Sequence, residues 1–218
     1  MDLFERRRLM LAKVEPIIDA DFRMIGAPEI IRDGNDLIYK PEKYVTNQGY
    51  IYTDKPFNPG PEHSWIIQTS LKRNNVGNAQ DIFVTVDTDA YGVVSRAYSI
   101  VVQSTDGNGR YGLYLSSNGT SWNITSNSPT GSMPADMCRK FQLVCTYENG
   151  NYLYKMGYPD LDSWTSVITK TDYPVFDKYI AFGGGWQNIT MNADFDLKET
   201  KIFIDGQLWW SAIKENNI

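Results

Sequence analysis

Histidine, cysteine and clustered positive charge are all scarce in this chain of 218 residues, and each scarcity removes a class of function. There is one histidine, His63. With no second imidazole, a His-based metal site and a conventional Ser-His-Asp relay both fall away. His63 follows Pro59-Gly60-Pro61-Glu62 and reads as a loop residue. The two cysteines, Cys138 and Cys145, are too few for a disulfide framework. Cys145 alternates with Phe141, Leu143 and Tyr147 and reads as a buried free thiol, with Cys138 in the loop before that strand. No apolar run reaches the roughly 18 residues of a membrane span, so membrane insertion is not expected. The N-terminus carries no apolar h-region or small-residue cleavage site, hence no signal peptide is expected. Acidic residues outnumber basic ones, 26 to 21, for a net charge of −5. The one tight basic cluster, Arg6-Arg7-Arg8, has Glu5 and Glu15 beside it and reads as a solvated helix face. Nucleic acid is therefore not an expected partner, because a phosphate-binding surface needs clustered Lys and Arg.

Aromatic residues are plentiful instead: 14 Tyr and six Trp favour strands and contact surfaces. The order of elements predicts two parts, 1–42 and 43–218. Residues 2–14 read as a helix with Asp2 as N-cap, Glu5 three residues on, and Pro16 as its stop. Leu3, Met10, Leu11 and Val14 form an approximate apolar stripe on it. Three turns are unstable alone in water, so this helix must pack on something. Residues 15–42 hold the apolar pairs Ile17-Ile18, Met24-Ile25 and Ile30-Ile31, interrupted by Pro28, Gly34 and Pro41. Without periodicity, this stretch reads as an extended arm laid over a surface, with Ile17 and Ile18 as anchoring residues.

From residue 43 the pattern is β. Strands are expected over 48–53, 64–71, 81–86, 99–103, 111–115, 140–147, 152–156 and 179–182, with Lys72 to Asn75 as a turn. Lys140 to Tyr147 alternates most clearly, sending Phe141, Leu143, Cys145 and Tyr147 inward and Gln142, Val144 and Thr146 outward. Asn149-Gly150 and Asp205-Gly206 suit two-residue hairpin turns. Many short strands between turn signals give an all-β fold, a two-sheet antiparallel jelly-roll sandwich carrying an N-terminal helix and arm.

Three segments carry a resemblance: Tyr50 to Thr53 with Ser64 to Ile67; Lys140 to Tyr152; and Ile180 to Gly185 followed by Phe195 to Glu199 and Ile202 to Gly206. Together they resemble the concanavalin A-like lectin/glucanase superfamily in its laminin G-like or pentraxin-like form, over about residues 44–212. The resemblance implies two curved antiparallel sheets of roughly a dozen strands. The charged leader Phe4 to Met10 and the closing Leu208-Trp209-Trp210 are also similar to small virion proteins of bacteriophages of gut bacteria. That similarity implies a virion protein, made in the host bacterial cytoplasm and released by lysis.

Sandwich glycosidases of this superfamily carry an alternating acid motif, Glu-x-Asp-x-x-Glu, whose carboxylates flank the scissile bond. Asp196 and Glu199 come closest, but three residues apart on a regular strand they face opposite sides. Calcium is the one cofactor suggested, through loop oxygens at Asp87, Asp89 and Asp194; Asp in loops also serves turns. For sugar, the candidates are Trp122, Trp164 and Trp186 beside turns, with Asn118, Asn123 and Asn188 nearby as planar hydrogen-bonding groups. Those tryptophans could equally close the ends of the core. The three asparagines match glycosylation acceptors, which carry little meaning without a secretory signal.

The expectation is a non-catalytic virion component, in the head or the tail. Its lectin-like domain meets host or mucosal glycans or stabilises the particle, its N-terminal part anchors it to other virion proteins, and a homo-oligomer is expected. The alternatives are a polysaccharide hydrolase or lyase using Asp196 or Glu199, and a purely structural protein-protein interaction module.

Overall fold

The computed structural model describes residues 22–25, 29–33, 36–40, 50–73, 81–86, 100–104, 111–115, 124–126, 138–171, 179–182 and 195–212. Among them are sixteen strands and one turn of 3-10 helix at Pro159–Leu161. The strands are β1 (Phe22–Ile25), β2 (Glu29–Asp33), β3 (Asp36–Lys40), β4 (Tyr50–Thr53), β5 (Trp65–Arg73) and β6 (Asp81–Val86). Then come β7 (Ile100–Ser104), β8 (Tyr111–Leu115), β9 (Ile124–Ser126), β10 (Cys138–Glu148) and β11 (Asn151–Tyr158). The last are β12 (Ser163–Trp164), β13 (Ile168–Lys170), β14 (Tyr179–Phe182), β15 (Phe195–Ile204) and β16 (Gln207–Ser211).

They form two antiparallel sheets. One has seven strands in the order β1-β4-β14-β6-β7-β8-β9. The other has nine: β12-β11-β10-β5-β15-β3-β2, with β13 also on β11 and β16 also on β15. The all-β antiparallel sandwich inferred from the alternating pattern is the observed fold, with more strands than the roughly a dozen expected. The bounds of β6, β8 and β14 match the sequence reading. Two local expectations are corrected: Lys72 and Arg73 extend β5 instead of turning, and Cys138 opens β10 instead of preceding it.

A larger correction concerns the arm. Residues 22–40 supply three strands to the sheets: β1 pairs with β4, β3 with β15, and β2 with β3. The reason is visible at Tyr39, which is buried and whose hydroxyl accepts the Ile51 backbone N–H at 3.1 Å. β3 thereby ties the nine-stranded sheet to β4 of the other. The helix expected over 2–14, with Leu3, Met10, Leu11 and Val14, lies outside the described residues, as do Ile17 and Ile18.

The core fills the space between the sheets. Tyr111 meets Phe141 edge-on at 5.5 Å across the two layers, and Phe182 stacks on Trp210 at 5.4 Å. A chain of edge-to-face rings runs from Trp209 through Phe57 and Trp65 to Tyr154. In β10 the residues Phe141, Leu143 and Cys145 are fully buried and Gln142, Val144 and Thr146 point outward, as alternation demands. Both cysteines are free. Burial pushes the Cys145 thiol up to about 12, so it stays protonated and inert at neutral pH.

An irregularity adjusts the phase of β15 against β5. Lys198 pairs with Ser70 but Lys201 with Gln68, so β15 carries one extra residue. Glu199 takes a left-handed conformation there (φ 49°). The inward set accordingly switches from Leu197 to Thr200 and Ile202. At the tip of the last hairpin, Asp205 and Gly206 have φ of 48° and 77°, as a type I′ turn requires. Asn149 and Gly150 repeat this geometry between β10 and β11 (51° and 77°).

Asp205 has a second task. Its carboxylate accepts the Ser64 N–H at 2.9 Å and pairs with the His63 ring, while its own N–H donates to the Ser64 carbonyl. The bond to His63, then that to Ser64, holds this carboxyl below its usual range. The stability it adds is present above its ordinary pKa and is lost on acidification; at so exposed a position it is small.

Candidate functional site

The outward face of the nine-stranded sheet is ordered in rows that register alone defines. One row crosses six strands: Trp164 opposite Gly157, Gly157 opposite Gln142, Gln142 opposite Gln68, Gln68 opposite Lys201, and Lys201 opposite Ser211. Neighbouring strands lie about 4.8 Å apart, so these groups form a line roughly 24 Å long. The next row is Lys155, Val144, Ile66, Phe203 and Leu208, largely apolar. On the other side follow Lys140, Ser70 and Lys198. Beyond them Lys72 stands between Cys138 and Asp196, and the Asp196 carboxylate reaches Lys40 at 4.0 Å.

Gly157 shapes the first row. A Cβ there would stand 2.0 Å from the Ser163 carbonyl oxygen and 2.9 Å from Trp164 Cα. Only glycine admits so close an approach, and the space its side chain would take is filled by the backbone of Ser163 and Trp164. β12 is held in place by Thr165, which is buried: its hydroxyl accepts the Met156 N–H at 3.1 Å, and its N–H donates to the Met156 carbonyl at 2.8 Å. Trp164 is half-buried, and the Lys155 ammonium stands 4.3 Å from its ring centroid.

Gln142 donates to Gln68 at 3.0 Å. That bond uses one donor of one amide and one acceptor of the other; the Gln142 carbonyl and the Gln68 NH2 group remain as an acceptor and a donor on a half-exposed surface. An indole, paired planar amides, a lysine and an adjoining apolar strip can together take a ligand that has both hydroxyl-bearing edges and C–H faces.

Of the residues singled out from sequence for sugar contact, Trp164 lies in this row. Trp122, Trp186, Asn118, Asn123 and Asn188 are outside the described residues, and so are Asp87, Asp89 and Asp194, proposed for calcium. No group of three or more potential metal-ligating side chains occurs among the described residues. Gln68, Gln142, Lys155 and Lys201 were missed as site residues. The outward position of Gln142 was readable from β10, but its neighbours come from strands distant in sequence.

The acid pair of the enzyme alternative is also placed. The extra residue in β15 makes the strand irregular, and Glu199 is exposed where the regular count would turn it inward. It accepts a hydrogen bond from the Ser70 hydroxyl at 2.8 Å, whereas Asp196 is buried against Lys40. His63 is exposed, in the loop expected for it.

No protein-family model and no curated protein matches the chain. Solved structures do share its fold. The carbohydrate recognition domain of Emp46p in metal-free form aligns over 86% of this chain and 88% of its own, with 8% identity and a TM-score of 0.53. The exoplasmic/lumenal domain of VIP36 with Ca2+ and Man2 bound aligns over 85% and 80%, with 16% identity and a TM-score of 0.50. The binding domain of botulinum neurotoxin DC in complex with SialylT aligns over 87% of this chain and 43% of that one, with 13% identity and a TM-score of 0.53. The lectin-like sandwich is thus the fold of this chain.

Proposed function

We propose that this protein is a non-catalytic glycan-binding domain whose ligand lies across the outward face of the nine-stranded sheet. The observation that carries the reading is the row Trp164, Gly157, Gln142, Gln68 and Lys201. It sets an aromatic ring in line with two planar amides, surfaces that suit a saccharide. The carbohydrate-binding descriptions of the structural neighbours support it. On a glycan array, with and without calcium, the whole chain is expected to bind. Trp164→Ala should lose about 2 kcal/mol, roughly thirtyfold in Kd, as truncated aromatic anchors do. A blank array under both conditions would refute the reading.

The finer reading is a bacteriophage virion component displaying this face to host or mucosal glycans, in several copies that add avidity. The resemblance of the leader Phe4 to Met10 supports it. The closing Trp209-Trp210 supports it less, since Trp210 is buried and stacked on Phe182, and so has a role in the core. Because residues 22–40 belong to the sheets, anchoring falls to residues 1–21, with Leu3, Met10, Leu11, Val14, Ile17 and Ile18. A chain lacking 1–21 should fold and bind glycan yet fail to enter particles; full incorporation would exclude this anchor. Calcium at Asp87, Asp89 and Asp194 is part of the same reading and would show as the difference between the two arrays. The hydrolase alternative requires turnover that Asp196→Asn or Glu199→Gln abolishes.

A further inference from the structure

The apolar row beside the central one is a surface of its own. Val144, Ile66, Phe203 and Leu208 stand on four successive strands, β10, β5, β15 and β16, each opposite the next. The core takes Leu143, Ile67, Ile202 and Trp210 from the same strands, and these four point outward. Leu208 is 49% exposed and the other three are half-buried. Three strand spacings make the strip about 14 Å long. An apolar strip rimmed by polar side chains, here Gln142, Gln68 and Lys201, marks a contact surface.

We propose that residues 2–14 form a helix that lies on this strip in the same molecule. On such a helix Leu3, Met10, Leu11 and Val14 fall within about 100° of arc, and Leu3 to Val14 spans about 16 Å, close to the length of the strip. Arg7 shares that face, where its stem covers apolar surface and its head reaches water. The strands bring the chain to the right place. Phe22 pairs with Thr53 where β4 ends. Phe57, four residues on, packs its ring against Trp65 and Trp209, the chain neighbours of Ile66 and Leu208. The Tyr39 bond sets β4 near β3, which lies beyond β15 from β5, on the side where β16 also stands. Residues 15–21, extended, reach up to about 23 Å, enough to pass from β1 around a sandwich whose sheets lie about 10 Å apart. That path brings Val14 to Leu208 and Leu3 toward Val144. Asp2 and Glu5 then arrive beside Lys155, which continues the row past Val144, so charge favours this direction. The sheet supplies the partner surface that three turns of helix need. The segment proposed above as the anchor is thereby sheltered in the free protein. This inference goes beyond the glycan reading and does not depend on it.

The test is amide hydrogen exchange on the full chain, with light scattering to fix its oligomeric state. Amides of residues 6–14 are expected to exchange about tenfold or more slowly than in a synthetic peptide of residues 1–21, at every protein concentration. Phe203→Lys with Leu208→Lys should return them to the rate of the peptide. Leu208→Lys alone, at a position already 49% exposed, should lower the protection several-fold and serves where the double variant does not fold. Ile31→Lys, on β2 outside the strip, should leave it unchanged. Circular dichroism of each variant confirms its fold. Exchange at the rate of the peptide in the unaltered chain, or protection that survives both strip variants, would overturn the proposal. Protection that vanishes on dilution together with a dimer would assign the strip to the helix of a second copy, and would overturn the placement within one molecule.

Discussion

Trp65→Ala is expected to cost about 3–5 kcal/mol, a large loss for a single substitution. Trp65 begins β5, the strand that joins β10 and β15 in the nine-stranded sheet. Its side chain is 2% exposed and lies edge-on to Phe57 at 5.4 Å and to Tyr154 at 6.0 Å. Cys145 and Ile204 flank it on the neighbouring strands. Truncation removes the middle of the Trp209–Phe57–Trp65–Tyr154 chain and leaves a void that ring-shaped neighbours cannot collapse into. Domains are commonly stable by only about 5–15 kcal/mol, so this one change takes a large share. Denaturant unfolding should show a clear fall in midpoint, with Trp65→Phe losing much less. An unchanged midpoint for Trp65→Ala would mean that this ring chain does not hold the core.

Gly157→Val should act on stability and binding together. The new Cβ meets the Ser163 carbonyl at 2.0 Å, and the obstacle is backbone, which cannot rotate away. β12 must therefore leave β11, taking both Thr165–Met156 hydrogen bonds with it. The cost is about 2–3 kcal/mol by analogy with overpacked cores, a fall of roughly 4–12 °C in Tm for a chain of this size. Trp164 would leave the row, so glycan affinity should drop at least as far as in Trp164→Ala. A variant with native Tm and native binding would show that the β11–β12 contact is not as close as described. One with lowered Tm but full affinity would remove Trp164 from the site.

How much of this was legible beforehand depended on whether the signal was local. The alternation of Lys140 to Tyr147 gave β10 its faces, and Asp205-Gly206 and Asn149-Gly150 gave two hairpins their turns, because each rests on a few consecutive residues. Residues 22–40 were read as an arm because β1, β2 and β3 have only four or five residues each, too few to display a period. A signal was there: Gly34-Asn35 separates the runs Glu29–Asp33 and Asp36–Lys40, a pattern suited to a tight hairpin. The phase change in β15 was hidden, since Lys198-Glu199-Thr200-Lys201 gives no composition cue to an extra residue. The candidate site was the least legible part. Trp164 stood out as a tryptophan beside a turn, but its partners Gln68 and Lys201 are joined to it only by register across strands far apart in sequence.

The placement of β15 between β5 and β3 has a bearing on how the molecule is made. Until residues 195–204 leave the ribosome, β5 has one bare edge and the β2–β3 hairpin has no sheet to join. Closure of the larger layer therefore waits for β15, and it requires contacts between segments far apart in sequence, the kind that form slowly. A nascent or prematurely ended chain exposes open β edges to its neighbours, which makes crowded synthesis the moment of greatest aggregation hazard.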